Sequence, residues 1–371
     1  MHAAQLAPLH EGVRLPLNLG LNDGTYMPEA CVEVMRSFTH RLGLRAYTTP
    51  DHDPLRAVIS RVDGVTPAHI FLHNGSGPIL KQVVPQVIKQ SILARPGRVV
   101  RHLLSKNGYP IVTPSFTYCK VPRKAHGLGL TVHLLPLRAE DGFRFDLSLL
   151  EATLEKQDCF VYLANPNNPT GNVLATREQL VPLIERFPGS TFWVDEAYVQ
   201  YVNPEHVRFS DLVPRYPNLM VGRSFSFAYG LAGVRIGYLL ARPALVAEMD
   251  KQLTDYRLGA LQEALAIAAL EDEAHLPWLR EECATQRAVI RDGLSRFRGV
   301  ETFDSEVNFV LCRFTDGRKG KDLVDTMKAR GIALKWFEPF KDVSYEPYFR
   351  ITLGTAEENA FLLGHLGEVL G

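Results

Sequence analysis

Residues 221–238 read VGRSFSFAYGLAGVRIGY. They link two short apolar runs, 219–221 and 236–240, through a segment rich in small residues. Each run is too short for a helix and apolar on both faces, as in a strand buried inside a sheet covered on both sides. Arg235 stands between Gly233 and Gly237 in this predominantly apolar setting. Such an arginine is either a surface ion-pair partner or a guanidinium held for an anion, which it grips through paired N–H donors.

Runs of the same kind recur outward from this segment, at 68–72 (AHIFL), 110–113, 130–135, 159–163 and 191–194. Helical patterns separate them at 78–93, 147–156 and 176–186, and Thr176 with Gln179 three residues on makes a capping box. The alternation predicts an α/β fold with a mainly parallel sheet. After Arg242 the pattern changes to two long helical stretches, 243–270 and 271–298. A smaller α/β unit follows, with strands near 309–314 and 348–352 and a last helix over 356–370. The expected organisation is an N-terminal segment (1–40), a large domain (41–242) and a small C-terminal domain (243–371). Residues 91–108 read as a long surface loop.

With 371 residues, 46% of them apolar, the chain can bury two cores or one large and one small one. Its 41 basic and 41 acidic side chains cancel, which argues against nucleic acid or an anionic membrane as the main partner. No apolar run approaches the roughly 18 residues of a membrane span. The opening MHAAQLAPLHEGVRLP lacks the basic end and apolar core of a secretory signal. The five cysteines are scattered, odd in number and never CxxC, which reads as reduced thiols in a cytoplasm and not as metal ligands.

Several segments carry chemistry. HNGSGPIL (73–80) leaves a strand and opens a helix, so Gly75, Ser76 and Gly77 form either a tight turn or a backbone N–H cup for an anion. FWVDEAYVQY (192–201) puts Asp195 at the C-terminal end of an apolar strand, where open α/β sheets gather ligands, although an Asp there also serves as a helix cap. NPNNPTG (165–171) is a loop punctuated by two prolines and a glycine. PSFTY (114–118) offers Phe116, as core or as a stacking surface.

In their order, these segments resemble the class I/II aminotransferases of fold type I, which use pyridoxal 5′-phosphate (PLP), and in wording the histidinol-phosphate aminotransferase branch. In that family, 221–238 corresponds to Ser-x-x-Lys, a Gly-rich turn, and an Arg eight residues after the Lys. Ser224 and Arg235 occupy those offsets, and Phe227 stands where the lysine would. The resemblance gives Gly75, Ser76, Gly77, Ser224 and Arg235 the cofactor phosphate. Asp195 takes the ring nitrogen, Tyr198 and Asn168 the ring oxygen, and Phe116 the ring face. RAYTTPDHDPLR (45–56) resembles the segment whose Tyr, here Tyr47, crosses a homodimer interface to the neighbour's phosphate. YFRITLGTAEEN (348–359) resembles the segment whose Arg, here Arg350, binds the substrate's anionic group. Lys335 stands where the branch commonly has Arg, and LNDGTYMP (21–28) is only loosely like its Asn-Glu-Asn-Pro stretch.

Phe227 changes what that resemblance implies. The family lysine carries PLP as a Schiff base and moves the substrate proton, and Phe can do neither. No His or Tyr stands at this position, although Ser226 and Tyr229 are near in sequence. Lys81, Lys106, Lys120 and Lys335 are the other amines to be considered. The expected function is an aminotransferase-family site for an amino-acid-like substrate that holds PLP or pyridoxamine 5′-phosphate (PMP) noncovalently and lacks ordinary transamination. A cofactor-free enzyme and a binding or regulatory protein are the alternatives.

Overall fold

The computed structural model describes residues 13, 15–41, 45–105, 108–251, 256–341 and 343–371. The strands in chain order are β1 (Leu17–Asn18), β2 (Ile70–His73), β3 (Ile111–Pro114), β4 (Val132–Leu135), β5 (Phe160–Ala164) and β6 (Thr191–Asp195). They continue as β7 (Leu219–Ser224), β8 (Gly237–Leu240), β9 (Val300–Thr302), β10 (Phe309–Phe314), β11 (Ile332–Ala333) and β12 (Tyr348–Thr352). The helices are α1 (Glu29–Arg41), α2 (Asp53–Asp63), α3 (Ser76–Leu93), α4 (Pro96–Ser105), α5 (Lys120–Gly127) and α6 (Leu147–Lys156). After them come α7 (Arg177–Arg186), α8 (Pro243–Asp250), α9 (Ala260–Glu271), α10 (His275–Leu294), α11 (Gly320–Ala329) and α12 (Ala356–Leu370).

Seven strands form one sheet in the order β2-β8-β7-β6-β5-β3-β4. Only β8 runs against its neighbours, pairing antiparallel with β7 and β2. The remaining pairs are parallel, as the unbroken apolar runs predicted. Both faces are buried: Val161, Leu163 and Val194 point into one apolar core, and Phe160, Tyr162 and Trp193 into another. Gln179 accepts the Thr176 N–H at 2.9 Å, the expected start signal of α7. The small unit has its own sheet, β12-β10-β9, with α10 and α12 packed in its core. The N-terminal segment joins this unit by pairing β1 parallel to β11.

Two expectations need correction. Residues 91–108 are largely helical: α3 runs to Leu93 and α4 follows at once. Pro96 suits a first helical turn, where its missing N–H costs nothing. Arg98 then anchors the helix, donating to the Gly189 carbonyl at 2.9 Å, pairing with Asp158 and lying 4.8 Å over the Tyr109 ring. The second correction concerns the long stretches after 242, which are three helices. Gly259 caps α9, and the Asp272 carboxylate accepts the N–H groups of Ala274 and His275 at 3.1 and 3.0 Å, turning the chain into α10. Apolar residues of α8 and α9 belong to the two cores of the large sheet. The expected boundary at 242 therefore cuts through packing that stays with that sheet until α10.

Candidate functional site

The parallel strands end on one side of the sheet, where unpaired strand termini leave a crevice. A cavity of about 370 Å³ lies there, closed on its far side by the N-terminal segment and by β12 of the small unit. Asp195, the last residue of β6, is on its wall. Its carboxylate accepts the Tyr162 hydroxyl at 2.8 Å. Burial pushes this carboxyl up to about 6, while the hydrogen bonds from Tyr162 and the Ala197 backbone pull the other way.

Tyr198 follows on the turn after β6. Its hydroxyl accepts from Asn22 Nδ2 at 2.8 Å and from Asn168 Nδ2 at 3.2 Å. Both bonds use oxygen lone pairs, so the phenolic proton is left for a further acceptor. Asn168 also accepts Arg350 Nη1 at 2.6 Å, and Arg350 Nη2 donates to the Gly20 carbonyl at 2.8 Å. Arg350 is buried, 4.9 Å over the Phe309 ring, and its Nε has no hydrogen-bond partner among the described residues. Burial pulls its guanidinium down to about 10, so it remains charged at neutral pH. Lys335 pairs with Arg350 in an isolated antiparallel bridge, and directly opposed residues project to one face. Lys335 lines the cavity with Arg350 and Lys120. Desolvation lowers the Lys335 ammonium, and the charge of Arg350 adds to this.

The opposite end is built at the start of α3. Gly75 has φ +88, and a Cβ on it would lie 2.5 Å from Arg235 Nη2, so the glycine is what admits the guanidinium there. Arg235 is held by its Nη1 donating to the Ala232 carbonyl at 2.8 Å, and both it and Gly77 line the cavity. Ser76 heads α3; its side chain lies outside the described residues. Ser224 is buried, and its Oγ accepts the Ser226 N–H at 3.1 Å. Ser226, one turn of chain later, is the serine on the wall. Ser224 thus supports that turn from behind the wall.

Phe116 also changes place. It is buried among Phe143, Tyr345 and Tyr348, with ring centroids 4.6–5.1 Å away, and does not line the cavity. Tyr118, two residues on, does. The turn after β3 reverses which aromatic of PSFTY faces the crevice. Tyr47 is 85% exposed, lies tilted against Tyr256 with ring centroids 4.9 Å apart and is absent from the cavity wall of its own chain. Among the amines considered, Lys120 and Lys335 reach the wall; the Lys81 side chain and Lys106 lie outside the described residues.

Phe227 lines the cavity and stacks on Tyr198, with centroids 4.4 Å apart and planes 16° from parallel. The ring thus occupies the floor between Ser226 and Tyr198. Sequence reasoning gave no site role to Asn22, Asp23, Tyr118, Tyr162 or Ser226. Tyr162 left a signal, a phenol inside the apolar strand FVYLA that demands a buried partner.

This arrangement fits most of a pyridoxal phosphate. The cup at Gly75 and Arg235, the ionisable Asp195, the spare phenolic proton of Tyr198 and the unpartnered Arg350 Nε are complementary to phosphate, ring nitrogen, ring oxygen and a substrate anion. Phe227 supplies no amine for attachment.

A profile of the family "Aminotransferase class I and II" matches residues 98–366. A histidinol-phosphate aminotransferase of Anaeromyxobacter sp. (strain Fw109-5) is 33% identical over 321 residues, covering 85% of this chain and 81% of that protein. Another, of Syntrophus aciditrophicus (strain SB), is 31% identical over 359 residues, covering 94% and 91%. A histidinol-phosphate aminotransferase structure from Sinorhizobium meliloti, solved in complex with pyridoxal-5′-phosphate, is 25% identical with a TM-score of 0.79, covering 100% and 98%. An L-threonine-O-3-phosphate decarboxylase from Porphyromonas gingivalis has the same fold at 22% identity, TM-score 0.75, covering 95% and 99%.

Proposed function

The chain belongs to the class I and II aminotransferases, and from that premise we propose that it holds PLP or PMP noncovalently and acts on an amino-acid-like substrate without ordinary transamination. The observation that carries this reading is Phe227, lying against Tyr198 on the wall of the cavity that Asp195, Arg235 and Arg350 also line. Bound pyridoxal compounds supply an electron sink for carbanions at the substrate α-carbon. Arg235 and the Gly75 turn hold the phosphate end, Asp195 keeps the ring nitrogen protonated, and Tyr198 donates to the ring oxygen. Arg350, with Lys335 beside it, receives the substrate's anionic group. Both lysines on the wall stand at this anion end of the site. Proton movement at the α-carbon loses its usual carrier, a deficit on the order of 100- to 10,000-fold.

One observation favours a second reading, a binding or regulatory protein: the Phe227–Tyr198 stack fills space where a proton would otherwise move. A homodimer with Tyr47 reaching the neighbouring site, and a reducing cytoplasm for the five free thiols, complete the proposal. No helix among the described residues is long and apolar enough to cross a membrane.

The test is chemical. Wild type should bind PLP in equilibrium dialysis, and borohydride should leave no pyridoxyl label on the protein. Asp195→Ala and Arg235→Ala should each weaken binding. In Phe227→Lys, borohydride should fix label at residue 227. A label on Lys120 or Lys335 in wild type would sink the noncovalent reading. Absence of binding in both wild type and Phe227→Lys would remove the cofactor and leave the second reading in place.

A further inference from the structure

The cavity has two carboxylates on its wall among the described residues, Asp195 and Asp23. Asp195 is committed to Tyr162. Asp23 is solvent-accessible and makes no hydrogen bond or ion pair among the described residues. It stands beside the Phe227 end of the cavity because its chain neighbour is pressed against that segment. Gly24 N–H donates to the Ser226 carbonyl at 3.4 Å, and a Cβ on Gly24 would lie 1.8 Å from the Phe227 carbonyl oxygen. Only a glycine lets the Asp23 turn come this close.

We propose that Asp23 is the ammonium-receiving group of this cavity, so that the site selects a pyridoxal compound carrying an amine at the carbon facing residue 227. The inference rests on the reading that a pyridoxal compound binds here. With lysine at 227, the protein would bring its own amine to that place. Phe227 brings none, and an apolar ring stacked on Tyr198 offers no counter-charge. A cationic aminomethyl group needs an anion within hydrogen-bond reach, and an unpaired carboxylate on the same wall provides one. The other charged side chains on the wall, Arg235, Arg350, Lys335 and Lys120, are cations and repel an ammonium. Burial pushes the Asp23 carboxyl up, and the nearby Arg235 charge opposes that shift and favours the carboxylate.

The experiment compares PMP with 4-deoxypyridoxine 5′-phosphate, which carries a methyl group in place of the aminomethyl and cannot react with lysines. Dissociation constants are measured by equilibrium dialysis for wild type, Asp23→Asn and Asp23→Ala. Wild type should bind PMP about tenfold more tightly, the scale of one charge-assisted hydrogen bond at an accessible site. Both variants should lose that preference by weakening PMP alone, with the deoxy compound unchanged as the check on folding. Equal affinities in wild type would overturn the proposal. So would a preference that survives in both variants, which would assign it to the face of an aromatic ring. If neither compound binds wild type, the cofactor reading itself fails and takes this inference with it.

Discussion

Asp195 is poised between two protonation states, and this makes its role measurable. Burial pushes its carboxyl up to about 6. Below that pH it is neutral, yet pairing with a protonated ring nitrogen requires the carboxylate. Association in acid must therefore expel one proton, and affinity for PMP should rise about tenfold per pH unit up to about 6 and then level. The ligand's phosphate titrates in the same range, so the diagnostic is the difference between proteins. Asp195→Asn should bind more weakly at pH 7.5 and lose one unit of slope between pH 5 and 6. An unchanged slope would show that Asp195 does not meet the ring nitrogen. Asp195 and Arg235 were legible in the sequence because their positions are set by a strand end and a glycine-flanked turn. Phe116 and Ser224 stand behind the wall that Tyr118 and Ser226, two residues on, line, because alternation cannot be counted through an irregular turn. Asp23 lies in the loosely matching 21–28 stretch, and its place at the cavity depends on the packing of Gly24 against a segment some 200 residues away.

Elements read well where packing is uniform on both faces. The strands of the large sheet fell within three residues of their expected ends because no polar face interrupts them. Helix α4 did carry a signal, since Val99, Val100, Leu103 and Leu104 are spaced as one helix face, but that face is largely exposed and marks no core. A different device joins β7, the end of β6 and α2, and it too escaped the sequence. Arg223 Nη2 lies 3.0 Å from Asp63 and 2.9 Å from Glu196, all three buried, and Tyr238 donates to Asp63 at 2.6 Å. Burial pushes Glu196 up to about 7, against the pull of Arg223. Removing the cation leaves two buried carboxylates facing each other, so Arg223→Met should cost about 3–5 kcal/mol in urea unfolding at pH 8. Glu196, already pushed up by burial, would then lose the charge that opposes that shift, and its folded pKa would stand further above its unfolded one. Protons bind the folded state better, and the deficit should shrink as pH falls from 8 toward 5.5. A deficit independent of pH would mean that the loss is one of packing.

At the scale of the molecule, the unexplained residue is Tyr47. A tyrosine 85% exposed, with its ring tilted against the half-exposed Tyr256, contributes little to its own chain's core. Its segment nonetheless resembles one that serves a neighbouring subunit's phosphate. We expect a homodimer in sedimentation at micromolar concentration. Tyr47→Ala should weaken cofactor binding several-fold, although the side chain is off its own cavity wall. Mixing separates a role in the partner from a long-range effect within one chain. In a heterodimer of Tyr47→Ala and Asp195→Ala chains, one site carries both lesions and the other carries neither. Refolding the two variants together should then restore tight binding to about one site in four of the pooled chains, taking random pairing as an order-of-magnitude guide. If Tyr47 acts within its own chain, every site in the mixture carries one lesion and tight binding stays absent. A stable monomer that binds PMP as tightly as the dimer would exclude the shared site altogether.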